Sequence, residues 1–236
     1  MRNFLSLAVL AALVVAGQGT SVLAAADEEG VALAIIYDTS GSMHDPVPDR
    51  DGRPTPKYVI ASRALRAVTD QIQAYVTNNA GGPPRKVFAG VFTFKNNGAQ
   101  EVVPFGPFDA QAIKTWAGSF FHPVGNTPLG NALNTAAQRV LSAPLTHKHV
   151  LILTDGMNTA GPDPAAVIPR LKARADQKGT SLSFHFIAFD VDAKVFEPVK
   201  RLGATVVGAS DEKQLNAQLD YILQREILLE AETPKR

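Results

Sequence analysis

The chain has 236 residues, 45% of them hydrophobic, with 23 basic against 22 acidic residues and no cysteine. The near-neutral balance, without a long run of one sign, argues against nucleic-acid or anionic-membrane surfaces. Without cysteine there is no disulfide and no lipid attachment at a processed N-terminus, yet the length suffices for one core without staples.

Residues 1–26 read as a secretory signal. Arg2 gives the positive start, Phe4 to Ala16 is uncharged and apolar, and Ala24-Ala25-Ala26 offers a cleavage site before Asp27. The apolar stretch falls short of the ~20 residues of a membrane span. Export to the periplasm or the medium is therefore expected. Residues 27–236 would then carry 22 basic and 22 acidic residues and form a single domain.

The apolar run Val31 to Tyr37 predicts a strand buried on both faces. Asp38-Thr39-Ser40-Gly41-Ser42-Met43 follows it as a turn. Pro46, Pro48, Pro54 and Pro56 predict irregular chain from His44 to Pro56. Helical spacing runs from Lys57 to about Val76, then a loop from Asn78 to Pro84. Strands are expected over Lys86 to Phe94 and Gln100 to Phe105. The short link between them, Lys95-Asn96-Asn97-Gly98, predicts a hairpin and an antiparallel edge. Asp109 caps a helix to Trp116, and another starts at Pro128 and runs to about Leu141. A buried strand, His149 to Thr154, ends at Asp155-Gly156. Further expectations are a helix from Asp163 to Gln177, a strand from Ser181 to Phe189 and a helix from Ala193 to Leu202. A short strand, Ala204 to Val207, and a helix, Asp211 to Glu230, close the chain.

This alternation predicts an α/β fold: a doubly wound, mainly parallel six-stranded sheet with one antiparallel edge strand and helices on both faces. In such a sheet the first and fourth strands meet at the point where the winding reverses, and ligands bind at the carboxyl ends there. Asp38, Ser40 and Ser42 would then face Asp155, with Thr127 leaning in from the loop ahead of the Pro128 helix. These are oxygen donors without thiol or imidazole, which suits a hard cation. Taken singly, the serines are also ordinary turn residues, Thr127 an N-cap and Asp155-Gly156 a turn.

Asp38-x-Ser40-x-Ser42, Thr127 and Asp155, with Gly-x-Thr-Pro and Leu-Thr-Asp-Gly around the last two, resemble the metal-ion-dependent adhesion site of von Willebrand factor type A domains. The resemblance spans about residues 31–230 and implies a Rossmann-like fold. It implies that Ser40 and Ser42 ligate Mg2+ (or Mn2+ or Ca2+) directly, Thr127 directly or through water, and Asp38 and Asp155 mainly through water. It also implies a protein partner whose Asp or Glu completes the coordination, and no catalysis. Two other readings stand beside it: a metal-dependent hydrolase or phosphatase, and a structural or assembly factor whose ion only supports the fold. No G-x-S-x-G, P-loop or G-x-G-x-x-G occurs. His44 and Asp45 border the motif. His147 and His149 are not expected to bind metal, and Trp116, Phe120 and Phe121 are expected to pack in the core or loop, with a partner-facing patch as the alternative.

Overall fold

The computed structural model describes residues 27–78 and 85–229. Strand β1 (Glu28–Tyr37) runs through the middle, buried from Gly30 onward. Side chains alternate across a strand, so β1 supplies two cores. Val31, Leu33, Ile35 and Tyr37 enter one; Ala32, Ala34 and Ile36 enter the other. That is why its sequence is an unbroken apolar run.

A 3-10 turn (Gly41–His44) is followed by β2 (Pro46–Pro48), β3 (Pro54–Pro56), α1 (Lys57–Thr77), β4 (Val87–Lys95), β5 (Gly98–Pro107) and α2 (Ala110–Ser119). Then come α3 (Leu129–Ser142), β6 (Leu145–Thr154), α4 (Pro164–Gln177), β7 (Ser183–Phe189), α5 (Glu197–Arg201), β8 (Thr205–Ala209) and α6 (Glu212–Tyr221). The main sheet has the order β5-β4-β1-β6-β7-β8. Its pairs are parallel except β4–β5, the hairpin that closes at Asn96. The chain winds outward from β1 to β4, then returns to place β6 on the other flank. The reversal point therefore lies between β1 and β6, as expected. Helices α1, α2 and α6 cover one face, and α3, α4 and α5 the other.

Three elements depart from the sequence expectation. The proline-rich stretch after His44 is not irregular: β2 and β3 form a small antiparallel ribbon. Pro46 pairs with Pro56 and Pro48 with Pro54, while the hydrogen bonds come from Lys57 N–H to the Asp45 carbonyl (3.0 Å) and Asp49 N–H to the Arg53 carbonyl (2.9 Å). The prolines occupy the alternate pairs that need no N–H. The helix expected over Ala193 to Leu202 is a 3-10 turn (Ala193–Phe196) running into α5, with Pro198 near the junction. The last helix turns π-helical over Ile222–Leu228. The signal segment, the loop from 79 to 84 and the helix end at Glu230 lie outside the described residues.

The turn after β1 rests on a built floor. The Tyr37 hydroxyl donates to the Tyr58 carbonyl (2.7 Å) and lies 3.0 Å from Ser62 Oγ, both on α1. Burial pushes that hydroxyl above the ordinary tyrosine range. Trp116 and Phe120 meet the Tyr37 ring edge-on, at 5.1 and 5.6 Å, and stack on each other.

Candidate metal centre

Asp38 opens the turn and is buried. Its Oδ1 accepts the Ser40 N–H (2.7 Å), closing a local turn, and its Oδ2 accepts the Thr154 hydroxyl (2.6 Å) from the end of β6. Its two oxygens are thus held from the turn after β1 and from the end of β6. The turn directs Ser40 Oγ and Ser42 Oγ, 3.2 Å apart, at Oδ1 of Asp155, which lies 3.5 and 2.9 Å away respectively. In an octahedral shell with metal–oxygen bonds of ~2.0–2.1 Å, neighbouring oxygens are about 2.9 Å apart. The two serine hydroxyls, the direct ligands that the resemblance implies, stand near that spacing at 3.2 Å.

Thr127 arrives from the loop between α2 and α3, which is tied to both other segments. Val124 N–H donates to the Thr39 carbonyl (2.7 Å), and Gly41 N–H to the Gly125 carbonyl (3.2 Å). Thr127 N–H donates to Thr159 Oγ1 (2.8 Å), and Thr159 N–H to the Thr127 carbonyl (3.0 Å). Thr127 is buried, and its hydroxyl lies 3.8 Å from where a side chain at Gly156 would begin. It makes no hydrogen bond to the other four residues. The structure thus joins Asp38, Ser40, Ser42 and Asp155 in one hydrogen-bonded cluster and sets Thr127 beside it.

The electrostatics suit a cation. Burial, then the negative charge of Asp155, pushes the Asp38 carboxyl up to about 6, against hydrogen bonds from Ser40 and Thr154 that favour its ionised form. Among the described residues no three His, Cys, Asp or Glu side chains form a metal cluster. Two carboxylates with hydroxyls make instead an all-oxygen set, fit for Mg2+, Mn2+ or Ca2+.

Lys57 is the residue that sequence reasoning passed over as a mere helix start. It is 3% exposed. Its ammonium lies 2.8 Å from Asp155 Oδ2, 3.3 Å from Asp190 Oδ2 and 3.9 Å from Asp45 Oδ2. Asp155 Oδ2 has no aligned hydrogen bond, so this closest contact is one of charge. Burial opposes the lysine's charge, but Asp155 and Asp190 outweigh it and raise its pKa. A signal was present: a cation at the first residue of a helix opposes the helix dipole, so it needs a local partner. Asp190 reaches Lys57 from a left-handed backbone conformation (φ 57°) after β7.

Around the cluster, Phe121, Val124 and Met157 are 75, 64 and 60% exposed. Phe121 therefore departs from the packing expected of it; Trp116 and Phe120 do not. The exposed His44 ring stands edge-on to Tyr58 (5.5 Å) and 6.2 Å from the His122 ring. His147 and His149 are buried on β6, against Glu29 (2.7 Å) and His185 (3.2 Å).

No curated protein sequence matches the chain. Solved structures similar in fold include the minor pilin PilB of Streptococcus sanguinis, with 15% identity, a TM-score of 0.63, and 84% of this chain and 61% of the pilin covered. The von Willebrand factor domain of the type V pilus tip protein Mfa5 from Porphyromonas gingivalis is 12% identical, with a TM-score of 0.65 over 88% of this chain and 98% of that domain. Proximal thread matrix protein 1 of the mussel byssus, in a structure with a zinc-occupied adhesion motif, is 18% identical, with a TM-score of 0.58 over 84% of this chain and 48% of that protein. The chain thus spans less than two thirds of the pilin and about half of the mussel protein. The family model of the von Willebrand factor type A domain matches residues 32–217, and the chain belongs to that family.

Proposed function

We propose that this is a non-catalytic protein-binding domain, exported to the periplasm or beyond, that holds its partner through a divalent cation. Asp38, Ser40, Ser42, Thr127 and Asp155 would hold Mg2+ (or Mn2+ or Ca2+). The observation that carries the reading is the convergence of Ser40 and Ser42 on Asp155 Oδ1, beside a buried Asp38. When bound, the ion supplies an electrophilic position that a partner's Asp or Glu carboxylate completes. Neutral hydroxyls as direct ligands leave more of its charge for that carboxylate. The mussel protein's zinc-occupied motif supports metal binding at this site, and the two pilus proteins support a role in protein contacts. Phe121, Val124 and Met157 would give the partner apolar contact around the charged centre.

Capture from the native envelope or medium by immobilised residues 27–236 tests this. A partner should be retained in Mg2+, released by EDTA and lost with Thr127→Ala. Retention equal in Mg2+ and EDTA would contradict the reading. Turnover of generic ester or phosphate substrates that needs Mg2+ and disappears in Ser40→Ala would establish the hydrolase reading instead.

A further inference from the structure

We propose that Lys57 is a tethered counter-cation of the metal centre: it holds the second oxygen of Asp155, lets the site fold without metal, and weakens divalent-cation binding. This rests on the metal-site reading above. The geometry divides Asp155 between two cations. Oδ1 faces the Ser40 and Ser42 hydroxyls, while Oδ2 lies 2.8 Å from Lys57 Nζ. The lysine is not a solvated neighbour that found a carboxylate by chance. It is buried, it stands where the helix dipole disfavours a cation, and Asp190 pairs with it at 3.3 Å.

Two consequences follow from charge alone. Metal-free, Asp38 and Asp155 would repel each other in a buried place, and the ammonium offsets that repulsion. Metal-bound, the same ammonium repels the incoming divalent ion at short range. The lysine therefore exchanges metal affinity for metal-free stability. The site becomes one that can be empty without unfolding, and so one that metal supply or a partner's carboxylate can regulate.

Lys57→Gln tests this, because it removes the charge and keeps a polar side chain; Lys57→Met removes both. Titration calorimetry with Mn2+ and Mg2+ on residues 27–236 should show Lys57→Gln binding at least about ten-fold more tightly than wild type, a gain of about 1.4 kcal/mol. In EDTA the variant should melt below wild type, and saturating Mn2+ should close most of that gap, which a purely structural lysine would not allow. Lys57→Arg keeps the charge and should bind metal about as wild type does. Equal or weaker binding by a folded Lys57→Gln, or a melting deficit that Mn2+ leaves unchanged, would overturn the proposal. Should Lys57→Gln unfold in EDTA and refold on adding Mn2+, that too supports it; if it stays unfolded in saturating Mn2+, the proposal fails. Absence of binding by wild type and variant alike would instead overturn the metal-site reading itself.

Discussion

Asp38 carries the pH dependence of the centre. Its carboxyl is raised to about 6, and a cation requires it ionised. Apparent Mn2+ affinity should therefore be flat above pH 6.5 and weaken about ten-fold per unit below 6, as a proton must leave on binding. Affinity unchanged from pH 7 to 5 would contradict that role. Thr127, beside the cluster and outside its hydrogen bonds, should tolerate Thr127→Ala with about 1 kcal/mol or less lost, while metal-dependent partner capture falls. Tyr37→Phe strips the turn's floor of a hydroxyl that serves Tyr58 and Ser62 and should cost roughly 1–2 kcal/mol by denaturant melting. That Asp38, Ser40, Ser42 and Asp155 come together was legible in the sequence because short spacings and strand ends fixed them. Lys57 and Asp190 were not, being 133 positions apart and joined only through the fold.

At the scale of elements, strands and helices with strong periodicity were legible to within a few residues. The failures have local causes. The β2–β3 ribbon hides its prolines in pairs that need no N–H, and the β8-side crossover is too short and proline-punctuated to make one helix. What no periodicity displays is how the Asp155 loop is seated. It crosses the start of α3 at Gly130, where a Cβ would lie 2.0 Å from the Pro162 carbonyl oxygen. Gly130→Ala should thus cost about 1–3 kcal/mol and weaken metal binding by displacing the loop that carries Asp155 and Thr159. Gly118→Ala, on the exposed side of α2 with nothing nearby, is the control and should be neutral or stabilising by about 0.5–1 kcal/mol. Equal stabilities for the two variants would contradict this seating.

Across the whole molecule, β1 belongs to both cores, so neither face of the sheet can melt alone. Residues 27–236 should unfold in one calorimetric transition; two resolved transitions would refute a single domain. Its pH profile combines two opposed groups. Asp38 is raised, so acidification through about 6 toward its unfolded value of 3.8 stabilises the metal-free fold. His185 is lowered by burial from 6.5 to about 4, so its contribution, present above 6.5, is lost as pH falls through 4. In EDTA these should largely offset between pH 6.5 and 4. With metal bound, Asp38 is held ionised, and acidification should destabilise. A divalent cation should bind at the Asp38 turn, and titration calorimetry of residues 27–236 with Mn2+ would register it. One ion per chain, with binding abolished in Ser40→Ala/Ser42→Ala while that variant keeps its fold in EDTA, is the predicted result. No heat and no shift in melting temperature at millimolar Mn2+ or Mg2+, or undiminished binding by the double variant, would contradict it.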